Sequence, residues 1–134
     1  MNEIKNNYVR FWIEEGILFN KFSTQIELNS QIVKELIELR HELSDGVFQY
    51  WCYDFTEVTS MPKEGRDYAD KYGQEFLHAS AAIVKSRIQS FIINIFIGLK
   101  NPKIPFKAFI EKEDAVEWLN RIKQKNELNE GRIG

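Results

Sequence analysis

Three short apolar runs, residues 47–55, 79–84 and 105–110, are each followed by a segment of helical character, and this alternation limits the possible folds more than any other feature of the sequence. A strand followed by a helix, repeated, is the pattern of a mostly parallel sheet, because parallel neighbours need a crossover and the helix supplies it. The 47–55 run is too short and too aromatic for a typical helix, so it reads as a central strand buried on both faces and closed by Asp54. After the polar stretch 56–60, Pro62 suits the first turn of a helix to about Gly73, with Glu64 at the positive end of its dipole. Ser86 is placed to cap a helix to Leu99, and Asn101-Pro102 ends it. After the 105–110 strand, Ala115, Trp118, Leu119 and Ile122 form the inner face of a closing helix.

The N-terminal part opens differently. Residues 8–13 and 17–22 are rich in β-branched and aromatic side chains and flank Glu14-Glu15-Gly16, which predicts a hairpin. Asn29 then caps a helix to about Leu43, where Ile32, Leu36, Leu39 and Leu43 recur at spacings of three and four, and Asp45-Gly46 stops it. The order β-β-α-β-α-β-α-β-α predicts a single α/β domain over 1–125, a five-stranded mixed sheet with four main helices, and residues 126–134 as a frayed tail.

At 134 residues the chain is large enough for one domain with a real core,. Its 18 basic against 20 acidic residues leave a net charge of −2, which disfavours a dedicated nucleic-acid binder,. Cys52 is the single cysteine, so an internal disulfide is excluded and a reducing, cytoplasmic setting fits,. Residues 1–7 lack the apolar core of a secretory signal, and the longest apolar stretch, 91–97, falls far short of the ~20 residues of a spanning helix.

His41 and His78 have no local metal-ligand spacing, and the Gly-rich phosphate loops are missing, so no metal and no cofactor is expected. Asp54 and Glu57 occupy the C-terminal rim of the central strand, and Lys85, Ser86 and Arg87 a comparable rim, where open α/β sheets place ligands. They form no nucleophile-base pair, so no catalytic residue is assigned. Thr59, Ser60 and Ser86 stand near helix starts, where capping outweighs phosphorylation. Lys100, Lys103 and Lys107 read as solvated. The 86–99 helix is apolar nearly all round: beyond the face that meets the sheet, Ile93, Phe96 and Ile97 are assigned to burial within the domain, to an interface with a partner or second copy, or to an apolar pocket.

The segment Asp54-Phe55-Thr56-Glu57-Val58-Thr59-Ser60-Met61-Pro62-Lys63-Glu64-Gly65 resembles the strand-loop-helix signature of STAS domains, the anti-sigma-factor-antagonist fold. Ser80-Ala81-Ala82-Ile83-Val84-Lys85-Ser86, Asn101-Pro102-Lys103-Ile104-Pro105, Phe109 and Ala115-Val116-Glu117-Trp118-Leu119 resemble the SpoIIAA-like branch of uncharacterised bacterial proteins. In the antagonist family a serine before the helix glycine is phosphorylated by a partner kinase. Here Glu64 stands in that position ahead of Gly65, and Glu does not accept phosphate by that chemistry. The resemblance therefore implies a non-enzymatic interaction module without the phosphorylation switch, binding a protein partner through Asp54, Thr56, Glu57, Ser60, Lys63, Glu64 and Gly65. The alternative, encouraged by the kinship of STAS domains with lipid-carrying SEC14-type folds, is a carrier or sensor of a small apolar ligand.

Overall fold

Glu15 (φ 51°) and Gly16 (φ 79°) reverse the chain in two residues, the loop geometry whose twist matches that of paired strands. In the computed structural model, which describes residues 2–90 and 103–133, this turn joins β2 (Val9–Glu14) to β3 (Ile17–Phe22), and β1 (Glu3–Lys5) precedes them. Short β4 (Ile26–Glu27) leads to α1 (Ser30–Ser44), then come β5 (Gln49–Asp54), β6 (Val58–Ser60), α2 (Lys63–Tyr72), β7 (Leu77–Ile83), β8 (Phe106–Phe109) and α3 (Lys112–Ile133).

The main sheet is mixed, with order β1-β2-β3-β5-β7-β8. The first three strands are antiparallel, and β3, β5, β7 and β8 run parallel. Among the described residues it holds six strands rather than the five expected. The addition is β1, whose one apolar residue, Ile4, gives no strand signal by itself; the strand exists through pairing with β2 and a turn in which the Asn6 carboxamide accepts from the backbone N–H groups of Tyr8 and Val9. A second, two-stranded parallel sheet joins β4 to β6 inside what the sequence pattern marks as polar connections.

Local signals set the helix ends. The Asn29 side chain accepts from Ile32 N–H at 2.9 Å, and Asp45, in the left-handed region at φ 49°, closes α1. Ser86 Oγ accepts from Gln89 N–H at 3.1 Å while the Gln89 carboxamide accepts from Lys85 N–H at 2.8 Å, a reciprocal cap for the helix that includes residues 87–90,. Ile93, Phe96 and Ile97 lie outside the described residues.

One expected strand is shorter than its apolar run. β5 begins at Gln49, leaving Val47 and Phe48 outside it, 61% and 52% exposed. The cause lies in the neighbour: Gln49 is the first residue of β5 with a partner in β7, opposite Leu77, and Phe76 just before takes φ 58°, which ends the ladder.

The sheet divides two cores. On one face, under α1 and α2, pack Phe11, Leu18, Phe22, Leu28, Val33 and Leu36. On the other, Ala79 and Ala81 are fully buried, and these small residues let α3 bring Ala115 and Leu119 close to Ile17, Phe19 and Cys52,. The closing helix continues beyond Lys123, and Asn126 Nδ2 donates to Tyr50 Oη at 3.0 Å. Among the described residues no helix is long and apolar enough to cross a membrane.

Candidate functional site

The last register pair between β3 and β5 is Phe19 with Cys52. Beyond it a side chain takes over: Asn20, 2% exposed, accepts through Oδ1 from Trp51 Nε1 (3.1 Å) and Asp54 N–H (3.3 Å) and donates through Nδ2 to the Asp54 carbonyl (3.4 Å). One buried amide thus holds the end of the central strand. Asn20 is not among the expected site residues, although a polar residue after Ile17-Leu18-Phe19 in a buried strand is itself a signal.

Asp54 turns the chain. Its Oδ1 accepts from Thr56 N–H (2.9 Å) and from Thr56 Oγ1 (2.6 Å), an Asx-turn that commits this carboxylate oxygen to structure,. The chain then enters β6. Ile26 N–H donates to the Glu57 carbonyl (3.0 Å), Leu28 N–H to the Ser60 carbonyl (2.9 Å) and Thr59 Oγ1 to the Ile26 carbonyl (3.1 Å). Gly65 locks the start of α2: a Cβ built there would stand 1.9 Å from the Leu28 carbonyl oxygen, so only glycine lets the two backbones approach this closely,.

The segment from Asp54 to Gly65 is therefore a ridge fixed at three points, with Thr59, Ser60, Lys63 and Glu64 exposed along it. Lys63 pairs with Asp67 one turn on, at 2.8 Å. The second rim is not joined to the ridge. Phe55 N–H donates to the Ile83 carbonyl (2.9 Å), which sets the strand ends side by side. Yet among the described residues no hydrogen bond or ion pair connects the side chains of Asp54 or Glu57 with Lys85, Ser86 or Arg87. Among these residues, too, no three His, Cys, Asp or Glu side chains gather as a metal site would need. Cys52 is buried, which pushes its thiol up to about 12, so it is no nucleophile at neutral pH,. Burial and the nearby Asp54 charge also raise Tyr53.

At the other end of α2 from the ridge lies Arg40, 1% exposed and likewise not expected from sequence. It occupies a position of the stripe Val33, Leu36, Arg40, Leu43, all buried. Nη1 donates to the Gly73 carbonyl (3.0 Å) and Nη2 to the Glu75 carbonyl (3.1 Å), while the guanidinium stacks 4.7 Å over the Trp51 ring. Burial brings its pKa down to about 10, still charged at neutral pH. Carbonyls at the end of α2 carry the negative pole of the helix, which suits a buried cation. Between the two helices and the sheet is an apolar cavity of about 200 Å³, lined among others by Leu28, Val33, Leu36, Trp51, Leu77 and Phe106.

This architecture is found in a solved structure. An uncharacterised protein of the DUF3478 family from Shewanella loihica PV-4, described as having a SpoIIAA-like fold, superposes with a TM-score of 0.64 at 19% identity, over 87% of this chain and 98% of that one. At that identity the likeness establishes the fold, which is SpoIIAA-like. No curated protein matches the chain. The sequence of residues 11–123, from the hairpin through the first half of α3, matches the family described as Domain of unknown function (DUF7793), and the chain belongs to that family.

Proposed function

We propose that this protein is a non-enzymatic interaction module that presents the Asp54–Gly65 ridge to a protein partner. The observation that carries this reading is the contrast along the ridge between a backbone held by the Asp54 turn, the β4–β6 pairing and the Gly65 contact, and side chains that project into solvent. A surface ordered before binding loses little further freedom on association, which favours recognition. Lys63 and Glu64 set its charge pattern at the first turn of α2.

Charge reversal tests it. Glu64→Lys and Lys63→Glu, each with an unchanged circular dichroism spectrum, should reduce capture of the wild-type partner from native extract roughly tenfold, as reversing a contact charge does. Undiminished capture by both variants would remove the ridge as the binding surface.

The cavity under α1 and α2 favours a second reading, a carrier or sensor of a small apolar ligand. Engineered apolar cavities of roughly 150 Å³ already bind benzene-sized molecules. Native mass spectrometry of freshly purified protein should then show a discrete added mass that is lost on denaturation and reduced in Val33→Trp, which fills the cavity. A bare 15.9 kDa chain in every preparation would count against the carrier.

A further inference from the structure

We propose that the end of the sheet opposite the Asp54 ridge is a second docking surface, one that takes a basic, amphipathic protein segment. Val47 and Phe48, the apolar residues that immediately precede β5, stand 61% and 52% exposed side by side. Phe48 is held in place by its neighbours. It meets Phe76 edge-on, with centroids 5.7 Å apart and planes at 87°, and His78 at 5.4 Å. His78 stacks on Tyr50 at 4.7 Å, and His41 meets Phe76 at 5.1 Å.

Phe76 adds a second, independent observation. Its φ of 58° places a bulky aromatic residue in the left-handed region, a conformation that persists only where the surroundings enforce it and that gathers at functional positions. The Phe76 carbonyl accepts from Gln49 N–H at 2.9 Å, so this conformation is tied to the start of β5 and sets its ring against Phe48. A preordered aromatic cluster that holds one ring, Phe48, out to solvent is characteristic of an interface centre,.

Charge selects the occupant. Glu42, Asp45 and Glu75 are exposed and within three residues in sequence of the platform's rings, and Arg40, the lysine or arginine that lies as close in sequence, is buried against the Gly73 and Glu75 carbonyls. A second copy docking face to face would set these carboxylates against their own counterparts, and an anionic membrane would be repelled. A segment with an apolar side chain for Val47 and Phe48, flanked by Lys or Arg, satisfies both the platform and its rim, and the aromatic faces themselves attract cations.

The test is an amide NMR titration of the full-length, isotope-labelled chain with three short synthetic helical peptides of equal length, built from Leu and Lys, from Leu and Glu, and from Ser and Lys. The Leu/Lys peptide should bind and shift amides of residues 45–49 and 75–78, with the other two at least about tenfold weaker. Phe48→Ser and, independently, Glu75→Lys should each weaken the Leu/Lys peptide several-fold; both sites are exposed, so folding is expected to survive. Equal binding of the Ser/Lys peptide, shifts confined to other surfaces, indifference to both variants, or concentration-dependent shifts of the same amides without peptide, which would signal self-association, would each overturn the proposal. Glu64→Lys, at the other end of the sheet, should leave peptide binding unchanged, which separates failure here from failure of the ridge.

Discussion

Replacing Gly65 by alanine is expected to lower stability by about 3 kcal/mol, although Gly to Ala within a helix ordinarily raises it by about 1 kcal/mol. The sign reverses because of what the new methyl would meet. A Cβ at Gly65 comes to 1.9 Å from the Leu28 carbonyl oxygen, 3.0 Å from its carbon and 3.3 Å from the Asn29 carbonyl carbon, all backbone atoms. Neither residue can yield easily. Leu28 N–H is bonded to the Ser60 carbonyl, and Asn29 caps α1, so relief of the clash would loosen the β4–β6 pairing or the helix start. Overpacking costs typically about 1–3 kcal/mol, and the absence of a flexible neighbour places this site at the upper end. Urea denaturation would read it as a lower midpoint at unchanged slope. A variant as stable as the parent would show that the close approach does not hold the ridge.

Arg40→Ala is expected to cost about 4 kcal/mol. Truncation leaves the Gly73 and Glu75 carbonyls without their buried donor, each worth about 1–3 kcal/mol, and opens space beneath Trp51,. Arg40→Met keeps most of the packing and removes a desolvated charge, so it should recover about half of the loss. Thermal and urea unfolding, followed by tryptophan fluorescence, check both. If both variants unfold within about 1 kcal/mol of the parent, the guanidinium is not what joins α1 to the end of α2.

Much of the frame could be read along the chain, and the reason is the range of the forces involved. The Glu15-Gly16 reversal, the Asn29 cap, the Asp45-Gly46 stop and the Ser86 cap each depend on residues within a few positions of one another. The β-α alternation likewise depends on local periodicity, which is why the mostly parallel arrangement was legible, while its SpoIIAA-like character was implied by the resemblance of particular segments. The ridge was legible as a stretch of sequence. That Gly65 presses on Leu28 was not, because Leu28 is 37 positions away from Gly65.

Asn20 and Arg40 show the same limit more sharply. Each looks like a polar interruption of an apolar pattern, and each is buried by partners 31 to 35 residues distant. The strands β1, β4 and β6 are too short to signal themselves and exist only as paired strands. Val47 and Phe48 make the converse case: their composition is that of a buried strand, but where β5 begins is decided by β7, whose ladder stops at Leu77 because Phe76 turns out of extended geometry. The amino-acid sequence alone determined the hairpin, the longer parallel strands, the helices that follow them and the caps at Asn29 and Ser86, since these follow from local periodicity and short-range hydrogen bonding. Register, the burial of Asn20 and Arg40 and the exposure of the Phe48 platform were decided only by the tertiary structure, because each depends on which distant backbone groups packing brings within reach.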